Sequence, residues 1–251
     1  MKIAMIIPTT SKNRDSWKKP KDTYLYSICV KSFVTHLSDS DKKHSYCFYI
    51  GYDDDDRLFS EQSTHDEFHY LSNIFPFISF KFIPFNNIPK GYVTKMWNVL
   101  FKKSYDDNYD YFYQCGDDIT FKSKNWVTDS INTLLKSNNI GLTGPINNNS
   151  RILTQSFVSR THMEIFGYFF PESIINWCCD DWYNIVYKPD LFFPLHQHYC
   201  SNDGGEPRYK INNDDNFYGE RFNEKLQLLR NETESIAAVD KEKIKKYMNQ
   251  I

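Results

Sequence analysis

Glycine is scarce in this chain, 9 of 251 residues, and none of them stands in a GxxxxGK(S/T) run. A phosphate-cradling P-loop is therefore excluded, and any bound phosphate must be neutralised by other means. Cys29, Cys47, Cys115, Cys178, Cys179 and Cys200 form no CxxC pair. That spacing suits neither a zinc knuckle nor a disulfide scaffold, and the six read as free thiols of a reducing compartment. Charge of one sign is lacking too: 30 Lys plus Arg face 32 Asp plus Glu. Such a balance supplies no general field for nucleic acid or an anionic membrane. No apolar run approaches a membrane span, and "MKIAMIIPTT" is too short for a secretory h-region, so the expectation is a soluble, cytoplasmic chain.

What is present is an alternation of strand and helix patterns. "KIAMIIPTT" is apolar on both faces, as an interior parallel strand requires, and Pro8-Thr9-Thr10 ends it. Leu25, Ile28, Cys29, Phe33 and Leu37 then recur at helical spacing. "SYCFYIGYDDDD" and "FISFKFIPF" read as further strands, and "PKGYVTKMWNVLFKKSY" as a helix with Val93, Met96, Trp97 and Leu100 on one face. "YDYFYQCGDDITF" reads as a buried strand, "NWVTDSINTLLKS" as an amphipathic helix, "IGLTGPI" as a strand and "THMEIFGYFF" as a helix. This order predicts one α/β domain with a mostly parallel central sheet flanked by helices. The lysine-rich end from Lys241 reads as a solvated terminal helix.

In a parallel sheet the chemistry collects beyond the carboxyl ends of the strands. Three such ends carry candidates: Pro8-Thr9-Thr10, the run Asp53 to Asp56, and Asp117-Asp118. Adjacent carboxylates at a buried strand end repel each other and are costly to desolvate without a positive partner. Hard oxygen ligands suit Mg²⁺ or Mn²⁺, and a cation bridging to a diphosphate would cancel the repulsion. The bland alternative is a strand-end turn, where Asp is common.

The order of these motifs resembles the GT-A class of nucleotide-sugar glycosyltransferases. A strand ending in Pro-Thr, a strand ending in Asp, a helix with Lys95 and Asn98, a strand ending in Gly116-Asp117-Asp118 and a later Asp-Asp-Trp follow one another. The resemblance spans roughly residues 1 to 210 and implies a GT-A-like, Rossmann-like fold. The nucleotide-sugar half would occupy about 1–120, the acceptor half about 121–210, and a helical extension 211–251. It departs from the literal DxD motif, since Gly116 stands where a first Asp would be. Residue usage and compact form look similar to glycosyltransferases of large DNA viruses.

The resemblance implies a role for each matched position. Asp118 would hold Mn²⁺ or Mg²⁺, with Asp117 a ribose contact or a support behind the metal ligand. Pro8, Thr9 and Thr10 would frame the base, Asp53 would meet uridine or ribose, and Lys95, three residues from Asn98 on one helix face, could reach the diphosphate. Asp181 or Asp180, flanked by Trp177 and Trp182, would be the base of an inverting transfer. Those tryptophans would stack on a sugar or belong to the core. His198, or His196 beside it, would complete the metal site, and Arg208 is a candidate diphosphate contact. "GPINNNSRILTQSFVSR" is expected to border the acceptor.

The activity so implied moves a hexosyl or pentosyl group from a nucleotide diphosphate donor, UDP-linked, to a hydroxyl of a glycan or protein. A nucleotidyltransferase would want a glycine-rich signature after the first strand, and "PTTSKNRDSW" has none. A metal-dependent phosphoesterase could use both Asp pairs. A non-catalytic carbohydrate-binding module would explain 18 Tyr, 20 Phe and 5 Trp, yet not the ordered strand-end acids.

Overall fold

In the computed structural model, residues 1–205, 209, 214 and 216–250 are described. Strand β1 (Lys2–Thr9) runs through the interior of the sheet. Its side chains alternate between two apolar layers: Ile3, Met5 and Ile7 enter one, Ala4 and Ile6 the other. Burial on both faces is why the strand reads as an unbroken apolar run.

Parallel to β1 lie β2 (Ser45–Asp53) on one side and β4 (Tyr111–Gln114) on the other, with β3 (Ile78–Phe85) beyond β2. Completing the sheet are β5 (Ile119–Phe121), β6 (Leu142–Ile146), β7 (Ser156–Ser159) and β8 (Phe192–Asn202). Among the described residues the order is β3-β2-β1-β4-β7-β6-β8-β5. Only β7 and β5 run against the rest. The chain steps outward from β1 through β2 to β3 and then returns to place β4 on the opposite side of β1. The carboxyl ends of β1 and β4 therefore flank a topological switch point, where open α/β sheets form their ligand crevice.

The helical pattern after Thr23 folds as a π-helical turn, Leu25–Val30, running into α1 (Lys31–Thr35). Next come α2 (Gln62–Ile74), α3 (Val93–Asp106), α4 (Trp126–Leu135), α5 (Thr161–Phe166), α6 (Cys179–Tyr187) and α7 (Phe222–Met248). The sequence pattern did not signal α2, because it buries only Thr64 and Phe68 and so carries no apolar stripe.

One expectation changes. "YDYFYQCGDDITF" is two strands rather than one: β4 ends at Gln114, the chain turns through Gly116-Asp117-Asp118, and β5 leaves to pair with β8 at the far edge. Both apolar flanks are buried, so the sequence alone could not separate them. The end from Lys241 is helical and largely solvated, with Ile244 its one buried residue in α7, but the helix it terminates packs inward. Thr233, Ala237, Asp240 and Ile244 form a buried stripe at helical spacing against α5 and α6. Asp240 fastens it, accepting hydrogen bonds from Trp182 Nε1 at 3.0 Å and the Tyr168 hydroxyl at 2.8 Å while pairing with Lys243. Trp182 is thus a core residue with no exposed face for a sugar.

All six cysteines are buried and free. No helix among the described residues is long and apolar enough to cross a membrane.

Candidate active site

Three adjoining clefts open along the carboxyl edge of the sheet. The middle one, about 270 Å³, is lined by Pro8, Thr9, Thr10, Trp97, Asp118 and Tyr209 among others. It shares Thr10 with a cleft of about 280 Å³ that holds Asp53, Asp55, Asp56, Lys12 and Lys90. On its other side it shares Trp97 and Asn176 with a cleft of about 310 Å³ containing Asp180 and Asp181. The strand-end motifs from distant parts of the sequence therefore meet along one continuous edge.

Asp117 and Asp118 divide their work. Asp117 is fully buried and accepts the Thr9 hydroxyl at 2.6 Å, tying the exit of β4 to the exit of β1. It does not line the cleft. Asp118 does line it. Its carboxylate lies against backbone: a Cβ on Gly204 would fall 2.0 Å from Asp118 Oδ2, and one on Gly116 would fall 2.5 Å from Oδ1. Glycine at both places is what lets the chain pass this close, and β8 delivers Gly204 just beyond its end, where the Asp203 amide donates to the Asp118 carbonyl.

The four aspartates after β2 separate similarly. Asp53 is buried and accepts the Tyr209 hydroxyl at 2.9 Å; burial pushes its carboxyl above the usual range, against that hydrogen bond. Asp56 organises the loop after β1, accepting from the Thr10 and Ser11 hydroxyls and from the amides of Ser11, Leu58 and Phe59. Asp54 and Asp55 are exposed. Thr10 thus frames two clefts while its hydroxyl serves the loop.

Several expected contacts lie elsewhere. Asn98 gives its side-chain amide to the Phe170 carbonyl and accepts the Phe169 and Phe170 amides, which uses it as a clamp on the segment after α5. Lys95 extends over the Tyr92 ring toward Glu172 and does not line the middle cleft. His198 is buried, with Nε2 2.7 Å from Asp129 Oδ2 on α4. It stands four residues before Asn202, the partner of Ile119, or about 13 Å along the strand from the level of Asp118. His196 is exposed on the same stretch of β8. Neither histidine completes a metal site with Asp118. Among the described residues no group of three or more His, Cys, Asp or Glu is arranged to hold a metal. Arg208 lies outside the described residues.

In the third cleft, Asp180 and Asp181 occupy the first turn of α6 and acquire different electrostatics. Asp181 is buried and ion-paired with Arg151, drawn from the segment expected to border an acceptor. Asp180 faces the cleft and accepts the Asp181 amide at 3.1 Å. Surrounding protein desolvates it and the charge of Asp181 adds to the effect, so its carboxyl is pushed up to about 7. A carboxylate with that affinity for protons is matched to general-base work near neutrality. Of the two, Asp180 is the freer to act.

Sequence reasoning missed Trp97, Asn176, Gly204 and Arg230. Trp97 sits on α3 at the junction of two clefts, and its indole Nε1 is buried without a hydrogen-bond partner. An apolar helical stripe disguises such a residue as core.

No protein-family model and no curated protein sequence matches the chain. Solved structures do. S. aureus TarS 1-349 in complex with UDP-GlcNAc aligns at a TM-score of 0.53 and 14% identity, over 83% of this chain and 60% of that one. The complex of TarS 1-349 with UDP aligns at 0.51 and 13% identity, over 80% of this chain and 60% of that one. TarS itself aligns at 0.51 and 13%, over 79% of this chain and 36% of that one. The chain spans about 60% of the length of the TarS 1-349 structures. At this identity the likeness is one of fold, and the fold is GT-A-like.

Proposed function

We propose that the chain is a glycosyltransferase that moves a sugar from a nucleoside-diphosphate donor, UDP-linked, to a hydroxyl of a glycan or protein, with inversion. The observation that carries the reading is the adjacency of two clefts sharing Trp97 and Asn176, one lined by Asp118 and the other by Asp180. The UDP and UDP-GlcNAc complexes on the same fold support the donor class.

The donor's base would lie toward Asp53 and Thr10, and its diphosphate near Asp118. Asp180 would take the proton of the acceptor hydroxyl as that oxygen attacks the anomeric carbon. The bond from this carbon to the diphosphate breaks, and its electron pair leaves with the diphosphate. Asp181 and Arg151 hold each other and fix the first turn of α6, while Trp97 separates and lines both clefts.

Asp118 is the residue that would hold a divalent cation, Mg²⁺ or Mn²⁺. One carboxylate suffices for a site whose other ligands are phosphate oxygens and water, which is how Mg²⁺ is commonly held. When bound, such an ion stabilises charge on the leaving diphosphate.

The test is a panel of UDP-, GDP- and dTDP-sugars with Mn²⁺, Mg²⁺ or EDTA, reading released nucleoside diphosphate for wild type and Asp118→Ala. Release from one donor that is lost with EDTA and with the substitution is expected. Release from none of the donors, with no thermal stabilisation by any of them, would sink the proposal.

A further inference from the structure

The third cleft contains two arginines with different fates. Arg151, from the loop after β6, is neutralised by Asp181. Arg230 comes from α7 and lines the same cleft. Its Nε is shut away from solvent with no hydrogen-bond partner, and no ion pair engages its guanidinium among the described residues. Burying an unpaired polar atom costs about 1–3 kcal/mol unless a ligand restores the bond.

Resting on the glycosyltransferase reading of this cleft, we infer that Arg230 receives an anionic group, carboxylate or phosphate, carried by the acceptor. The local charges agree. Arg151 and Asp181 cancel, which leaves Arg230 opposed only by Asp180, and each proton that Asp180 accepts leaves the cleft more positive. A guanidinium fork matches planar carboxylate and phosphate oxygens with two parallel hydrogen bonds. Asn149, Thr154 and Asn176 line the same space and offer partners for neighbouring hydroxyls. Trp177 supplies an apolar wall, backed by Phe217 and Phe222.

The experiment is calorimetric binding of three probes, glucuronate, glucose 6-phosphate and glucose, to wild type, Arg230→Gln and Arg230→Lys. Release of nucleoside diphosphate from the donor is followed separately. Wild type is expected to bind at least one charged probe about tenfold more tightly than glucose, and the better of the two names the group. Arg230→Gln should lose that preference and Arg230→Lys should keep part of it, with the circular dichroism and melting of both unchanged. Equal binding of all three probes, binding of none, or a preference untouched in Arg230→Gln overturns the inference. Absent donor turnover alongside an Arg230-dependent charge preference would instead count against the transferase reading and leave the anion site standing.

Discussion

The Thr9 hydroxyl donates to Asp117 Oδ2 at 2.6 Å, and this bond spans 108 residues of sequence to join the exits of β1 and β4. It is buried and its acceptor is a carboxylate, so it belongs to the stronger class of protein hydrogen bonds. The turn that presents Asp118 is therefore fixed by a residue of the opposite strand.

Removing that donor should be felt in stability first. Thr9→Val keeps the shape and deletes one hydroxyl partner of Asp117, at a cost of about 1.5–3 kcal/mol for a bond to a charged group. Urea unfolding should show the loss and Thr9→Ser should recover most of it. An unchanged midpoint in Thr9→Val would mean that the bond contributes nothing.

Asp180 sets two opposed pH trends. As a base it must be ionised, so transfer should rise with pH through about 7. Stability should move the other way. A carboxyl raised from 3.8 to about 7 holds its proton more tightly in the folded state, so its contribution is fully present below about 4 and is lost as pH climbs toward 7. Asp180→Asn should thus lose transfer by roughly 10²–10⁴-fold while melting higher than wild type above pH 7. A variant less stable than wild type at pH 8 would contradict this.

Gly204 is where backbone meets Asp118. Gly204→Ala places a Cβ 2.3 Å from Asp118 Cβ, so the carboxylate must move. Donor affinity should fall by about tenfold, since a misplaced charge-assisted contact forfeits about that much. Titration calorimetry with UDP and Mn²⁺ measures it, and wild-type affinity in the alanine variant would refute the close approach.

His198 Nε2 lies 2.7 Å from Asp129 Oδ2 on α4. His198→Leu should cost about 1 kcal/mol through the lost bond to Asp129 and leave the EDTA sensitivity and metal concentration dependence of donor turnover unchanged. A shift in the metal requirement would return the histidine to the metal site.

Much of this architecture was legible because strand cores and strand ends are local signals. The apolar run of β1, its stop at Pro8-Thr9-Thr10 and the acids after β2 and β4 fall where the pattern places them. Roles set by distant partners were not legible. Asn98 and Lys95 share the expected helix, yet Asn98 turns to Phe169 and Phe170 and Lys95 to Glu172. The histidines of β8 looked close to Asp118 only until the pairing of Ile119 with Asn202 set the register. Arg230 lay in a charged helix whose buried stripe is four residues wide-spaced over three turns, too sparse to announce a face that closes a cleft.

The most direct measurement is UDP binding with Mn²⁺ by calorimetry for wild type, Asp118→Ala and Asp180→Asn, followed by transfer assays on the same samples. If the two clefts serve donor and acceptor of one reaction, Asp118→Ala loses UDP binding and Asp180→Asn keeps it while losing transfer. Wild-type UDP binding by Asp118→Ala, or full transfer by Asp180→Asn, would contradict that division of labour.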